Sequence, residues 1–275
     1  MELHVVLPSE TDRMPASTLV EVAVMAEELG YAGVWLPDHI LLPGGHGERL
    51  GGVYEPLITL SHIAALTTTI KLGTSVLVAP LRNPFVLARQ VATLVALSGD
   101  RFQFGVGTGW NETEFREVGG NFERRGKTTD EAIRLVNHLL EYGQGPYEDG
   151  EISFSEGVFA PNLGRRVPIH VGGTSKPAYR RAAELGDGWQ GLEPDPAQFV
   201  ESVRAIRTVT DRPLVMGTRT LWSEERGSLD GTLEEIDALR KVGADYLAIW
   251  FGEWETFADR MRALSEATKR IVARG

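Results

Sequence analysis

Cysteine is absent from the 275-residue chain, which removes disulfide scaffolds, thiolate zinc sites and catalytic thiols together. That usage suits a reducing compartment, and the cytoplasm is the expected location. No apolar run approaches the ~18 residues of a membrane span. The opening Met1-Glu2-Leu3-His4-Val5-Val6-Leu7-Pro8 has no basic stretch ahead of an apolar one, so neither a membrane anchor nor a leader is expected. Positive charge is in short supply, with 28 Lys and Arg against 38 Asp and Glu for a net charge of −10. That balance argues against broad binding of nucleic acid, and any anionic ligand must meet a local positive site. Metal-ligand spacing is missing as well. His4, His39, His46, His62, His138 and His170 form neither an H-x-H pair on the first strand nor an H-E-x-x-H helix.

What is present is a regular alternation. Short β-branched or aromatic runs at 4–7, 33–36, 71–78, 102–107, 168–172, 188–191, 214–217 and 246–250 read as strands. Between them, 3.6-residue periodicity predicts helices at 17–29, 55–68, 84–97, 127–142, 176–185, 196–209, 232–242 and 254–273. Gly30, Gly186 and Gly243 each follow a helix where a left-handed cap is wanted. Alternating strands and helices form either an open doubly wound sheet or a closed barrel. Eight strands with little else predict a single (β/α)8 TIM barrel domain over 1–275. Two excursions stand out: the glycine-rich 40–54, read as a loop lid, and 143–166, where ISF and GVF are expected to pair as a hairpin.

In such a barrel the reactive groups gather where strands end and the following loops begin. Those positions are Pro37-Asp38-His39, Thr74-Ser75-Val76, Gly107-Thr108-Gly109-Trp110-Asn111, Gly172-Gly173-Thr174-Ser175, Trp189-Gln190-Gly191 and Arg219. Asp38 and His39 put a carboxylate and an imidazole at one strand end, able to share a ligand hydrogen bond or a proton transfer. The competing reading is that Asp38 satisfies backbone N–H groups of the loop that follows. Gly172–Ser175 leads from a strand straight into the helix near Lys176-Pro177. Two glycines, two hydroxyls and a helix N-terminus together suit a phosphate, against a plain tight turn with an N-cap. The run Gly105-Val106-Gly107-Thr108-Gly109 is not a G-x-G-x-x-G fingerprint. His62 and His138 fall inside helical patterns and read as packing or surface residues, and His170 as a satisfied core residue facing the barrel interior. The six tryptophans lie mostly near strand ends, which suits a flat aromatic ligand.

GYAGVWLPDH (30–39), IKLGTSVLVAPLRNPFVLARQVATLVALSGDRFQFGVGTGWNETEF (70–115) and VPIHVGGTSKPAYRRAAELGDGW (167–189) resemble the luciferase-like monooxygenase family, in particular its deazaflavin-dependent oxidoreductases, and the likeness covers essentially the whole chain. The resemblance implies a (β/α)8 barrel holding coenzyme F420, a deazaflavin, or else FMN at the C-terminal mouth. It implies that Asp38 contacts the cofactor ring and that Ser75-Val76 forms a bulge with a non-proline cis peptide. It places Gly107, Thr108 and Asn111 beside the ring and ribityl chain, with Gly172, Gly173, Thr174 and Ser175 around the phosphate. His39 matches the active-site histidine of several deazaflavin members, as donor or acceptor of a proton. Trp110 stands where the group's sugar-phosphate dehydrogenases carry an acid/base glutamate, a departure that argues against that substrate class; Trp110 and the 40–54 loop are expected as substrate walls that exclude water. Arg165, Arg166, Lys176, Arg180 and Arg181 are expected either to meet the anionic tail of F420 or to form an exposed helix face. The implied activity is hydride transfer between F420 and a small organic substrate, by a homodimer. An FMN-dependent two-component monooxygenase, a non-catalytic cofactor carrier and a metal-dependent barrel lyase or hydrolase are the alternatives.

Overall fold

The computed structural model describes residues 1–9, 15–41, 54–192, 195–222 and 228–272. Its barrel strands are β1 (Glu2–Val6), β2 (Gly33–Leu36), β3 (Lys71–Thr74), β4 (Leu77–Val78), β5 (Phe102–Gly107), β8 (Ile169–Gly172), β9 (Gly188–Gly191), β10 (Val215–Leu221) and β11 (Tyr246–Trp250), with β6 (Tyr147–Asp149) and β7 (Ile152–Phe154) lying outside the barrel. The helices are α1 (Ala16–Leu29), α2 (Pro56–Leu66), α3 (Pro84–Ser98), α4 (Glu112–Glu117), α5 (Arg125–Tyr142), α6 (Lys176–Leu185), α7 (Pro196–Arg207), α8 (Leu229–Lys241) and α9 (Trp254–Val272). The order β3-β2-β1-β11-β10-β9-β8-β5-β4 closes on itself because β5 pairs with both β4 and β3. Taking β3 and β4 as one interrupted strand, this is an eight-stranded barrel in which every pairing is parallel. Among the described residues, no helix is long and apolar enough to cross a membrane.

Local chemistry explains where several helices begin. Pro56, Pro84 and Pro196 open α2, α3 and α7 behind Glu55, Asn83 and Asp195, whose side chains accept from the first free N–H groups. Helix ends follow the expected glycines at Gly30 (φ 87°) and Gly243 (φ 86°), but not at Gly186, which is extended at φ −88°. Glycine is needed at 186 for a different reason: a Cβ there would sit 3.0 Å from the carbonyl oxygens of Ala182 and Gly188. The hairpin also departs from expectation. ISF pairs with Tyr147–Asp149 rather than with GVF, because Gly150 at φ 61° provides a two-residue turn after Asp149. The proposed lid residues 42–53 lie outside the described residues.

Two separate cores result. Outward-facing strand residues such as Val5, Val34, Leu72, Phe104, Ile169 and Ile249 pack against the helices. Inside the barrel, His4, Trp35 and Tyr246 form a stack with ring centroids 4.7 to 5.8 Å apart. Gly73 and Gly217 make room for it, since a Cβ at either would fall 2.2 Å from the Trp35 or Tyr246 ring. His170 faces the interior edge-on to Trp35 and Tyr246, as expected, but only Nε2 finds a partner, Gln103, while buried Nδ1 has none. Burial pushes the His170 imidazole down to about 4, and burial likewise lowers His4. The floor is therefore neutral at ordinary pH and closes the barrel to one end.

Candidate active site

At the open end, the third strand breaks between β3 and β4, and the Ser75-Val76 peptide there is cis, as the resemblance implied. The break is tied down on every side. The Ser75 N–H donates to the Leu36 carbonyl (2.7 Å), the Arg219 Nη1 donates to the Ser75 carbonyl (2.7 Å), and the Ser75 hydroxyl donates to the side-chain oxygen Oε1 of Gln190. Gln190 in turn donates from Nε2 to the Tyr246 hydroxyl (3.2 Å), linking the mouth to the floor. Half-buried Val76 then lies across the strand ends. A Cβ on Gly107 or Gly172 would come within 2.3 or 2.5 Å of its methyl groups, so both glycines serve first to seat Val76.

Asp38 and His39 do not bond each other. Asp38 is turned into the wall, where it receives Arg82 through Nη1 (2.6 Å) and Nη2 (2.9 Å) and the Val78 N–H (2.8 Å). Its side chain is fully buried. Desolvation opposes the Arg82 charge, but the Asp38 and Glu55 carboxylates outweigh it and raise the guanidinium further. Asp38 thus has the structural contact that was the competing reading, made to a different loop. His39 is bonded instead through Nδ1 to Glu114 Oε2 (3.1 Å). Glu114 also accepts the N–H groups of Ile40 (2.6 Å) and Leu41 (3.0 Å) through Oε1.

Glu114 and Arg82 were missed by sequence reading. Asn111-x-x-Glu114 carries the signal of a capping box, and the Glu114 N–H does donate to Asn111 Oδ1 (3.2 Å). The Glu114 carboxylate, however, reaches out of the helix to His39 rather than back to the cap. That capping bond engages one lone pair of the Asn111 oxygen, leaving its second lone pair and its amide N–H groups for a ligand. Thr108 is half-buried at the β5 end, and Trp110 is 54% exposed with its ring 6.1 Å from that of His39, edge-on. Trp35 is buried in the stack inside the barrel, and buried Trp189 donates from Nε1 to the Gly173 carbonyl (2.8 Å), bracing that loop.

On the neighbouring strands, Gly173 (φ 117°) turns the chain from β8 into α6, and Ser175 caps the helix by accepting from the Ala178 N–H. Thr174 and Ser175 are exposed, and their own N–H groups have no acceptor among the described residues. The expected cluster of cations is not assembled there. Arg165 and Arg166 precede β8 and so lie at the opposite end of the barrel, pairing with Asp100 and with the Leu185 carbonyl. Arg181 is buried against Asp130 and the Gly126 carbonyl, and Arg180 faces Glu184 along its own helix. Lys176 alone stays beside the loop, exposed. Among the described residues there is no group of three or more metal-ligating side chains.

A closed parallel barrel whose polar groups converge on one mouth is an enzyme architecture with a ligand site at the strand C-termini. Residues 1–214 match the luciferase-like monooxygenase family, and the chain belongs to it. It is 26% identical over 277 residues to an uncharacterized protein of Mycobacterium tuberculosis, covering 93% of this chain and 94% of that one. It is 32% identical over 184 residues to an F420-dependent glucose-6-phosphate dehydrogenase of Kineococcus radiotolerans, covering 66% of this chain and 54% of that one. Among solved structures, the monooxygenase RslO1 from Streptomyces bottropensis superposes with a TM-score of 0.84 at 18% identity, over 99% and 100% of the two chains. The oxygenating constituent of 3,6-diketocamphane monooxygenase from Pseudomonas putida, in complex with FMN, does so with 0.77 at 14%, over 97% of each. Relatives of this chain thus include an F420-dependent dehydrogenase, and its fold neighbours a monooxygenase constituent in complex with FMN.

Proposed function

We propose that the chain is a cytoplasmic F420-dependent oxidoreductase, moving hydride between the deazaflavin and a small organic substrate. The observation that carries this reading is the cradle at the mouth: Val76 laid flat over two glycines, flanked on one side by His39 and on the other by the open N–H groups ahead of α6. These residues fit a flat ring with a phosphorylated side chain, because Gly107 and Gly172 let Val76 lie close against the strand ends as a shelf and the helix N-terminus attracts an anion. A bound deazaflavin supplies a ring carbon that gives or takes hydride and reacts poorly with oxygen. The remaining roles belong to the chain. Val76 supports one ring face, Gly173, Thr174 and Ser175 hold phosphate, and Trp110 shields the opposite side from water. His39 Nε2 gives or takes the proton that accompanies hydride. Asp38, held by Arg82, positions the Val78 backbone below the shelf rather than carrying protons.

Sequence relatedness to the F420-dependent dehydrogenase favours the deazaflavin over FMN. The FMN-containing neighbour supports the second reading, a two-component monooxygenase. Equilibrium binding of F420 and FMN to the purified protein separates them: tighter F420 binding is expected, and tight FMN binding without measurable F420 binding would select the monooxygenase. The phosphate loop has its own test. Gly173→Val places a branched side chain at φ 117°, with its Cβ 3.2 Å from that of Ala178, and disturbs the N–H groups that face the ligand. Loss of one charge-assisted hydrogen bond, ~1.5–3 kcal/mol, should weaken cofactor binding roughly tenfold or more. Unchanged affinity would move the phosphate elsewhere.

We further propose a homodimer joined through α2 and α3, which leave Ile58 70%, Val86 56% and Leu97 61% exposed and pack against each other. Light scattering should return twice the chain mass, and Ile58→Glu with Val86→Glu should halve it, because burying a charge in an apolar interface is costly. A monomeric wild type would refute the assignment.

A further inference from the structure

The carboxylate of Glu114 collects three hydrogen bonds, and their division between its two oxygens has a chemical consequence. Oε1 receives the main-chain N–H groups of Ile40 and Leu41, and Oε2 alone faces Nδ1 of His39. The Glu114 side chain is 1% exposed and that of His39 10%, so neither group exchanges freely with water. A carboxylate only accepts, so the ring nitrogen facing it must be the protonated one. The other nitrogen of a neutral imidazole then carries a lone pair.

We propose that Glu114 is a positioning residue that locks His39 as its Nδ1–H tautomer and presents Nε2 as the proton acceptor of the site. The same carboxylate anchors residues 40 and 41, so ring orientation and the path of the chain leaving β2 are set by one buried group. This inference deepens the proposed oxidoreductase reading and rests on it for its catalytic consequence, though not for the tautomer. In the oxidising direction, the Nε2 lone pair would take the hydroxyl proton of an alcohol, while a deazaflavin held at the mouth would supply the acceptor for the hydrogen on the same carbon and its two bonding electrons. The balance would be a carbonyl compound, the hydride on the acceptor, and a His39 imidazolium paired with Glu114. A neutral ring in the other tautomer has no lone pair to offer at that point.

Glu114→Gln separates this role from a purely structural one. The amide is isosteric, and its oxygen is the only atom able to accept from Ile40 and Leu41. Its NH2 must therefore face His39 Nδ1 and donate, turning the ring to the Nε2–H tautomer. Imidazole 15N spectra of the ligand-free protein at about pH 8, above the ordinary histidine range, read this directly, with the His39 signals assigned by their loss in His39→Gln. The expected wild-type spectrum has a protonated Nδ1 and an unprotonated Nε2, and Glu114→Gln exchanges the two. A protonated Nε2 in the wild type, or an unchanged tautomer in a folded variant, overturns the proposal. Since the wild-type spectrum alone can refute it, a variant that failed to fold would not protect it. With cofactor and substrate supplied, kcat of Glu114→Gln should fall a hundredfold or more at nearly constant cofactor affinity. A fall in kcat without the tautomer exchange assigns Glu114 a structural role and overturns the positioning role. A tautomer exchange in a protein that turns over no F420 leaves the tautomer lock standing and removes the deazaflavin reading instead.

Discussion

Replacing His39 with alanine is expected to lower turnover by about a hundredfold or more while cofactor affinity stays within roughly twofold, because general acid–base catalysis contributes on the order of 10²–10⁴. The ring is only 10% exposed, lies edge-on to Trp110 and is fixed through Nδ1 by Glu114. Its loss therefore removes the one imidazole among the described residues that stands at the mouth. The other candidates are elsewhere: His4 and His170 form the neutral floor, His62 is exposed on α2, and His138 packs on Tyr147 beside the hairpin. Single-turnover kinetics with F420, alongside equilibrium binding, test the expectation. Full turnover in His39→Ala would take the histidine out of the mechanism.

The largest stability effect is expected at Arg82. Its two bonds to Asp38 compensate a carboxylate whose side chain has no solvent exposure, while Arg82 itself is 13% exposed. Among the described residues, Arg82→Met leaves Asp38 with the Val78 N–H as its remaining partner. Stranding one partner of a buried ion pair typically costs ~3–5 kcal/mol. Glu55 loses its contact with Arg82 as well, but at 36% side-chain exposure it returns to water at little cost. Chemical denaturation of wild type, Arg82→Met and the double variant Arg82→Met with Asp38→Asn should show a large loss in the single variant and substantial recovery in the double. A loss below ~1 kcal/mol in the single variant would mean that Asp38 is not the buried anion the geometry describes.

Sequence reading located strand ends well because a barrel strand carries its own signal. Gly33–Leu36, Phe102–Gly107, Gly188–Gly191 and Tyr246–Trp250 fall where the apolar runs fall, and α6 spans the periodic stretch to the residue. Local signals failed where one residue answers to two demands. Gly186 looked like a left-handed cap and is instead a close approach of main chain to main chain. Arg165 and Arg181 looked adjacent to the phosphate loop along the chain. Strand direction sends the first to the far end of the barrel, and helix rotation buries the second against Asp130.

By itself, then, the sequence determined the alternation of strands and helices and which loops gather at the mouth, because these follow from periodicity, capping residues and strand polarity read over a few neighbouring positions; the number of such strands pointed to a closed barrel, and the family rested on resemblance along whole stretches of the chain. Only the tertiary structure decided the partners. Asp38 meets Arg82 across 44 residues and His39 meets Glu114 across 75, and Val76 finds its glycines on two different strands. Such pairings depend on the stagger with which strands close around the barrel and on which face of a short helix turns inward. Those quantities are fixed by packing of the whole chain and leave no mark in the local run of residues.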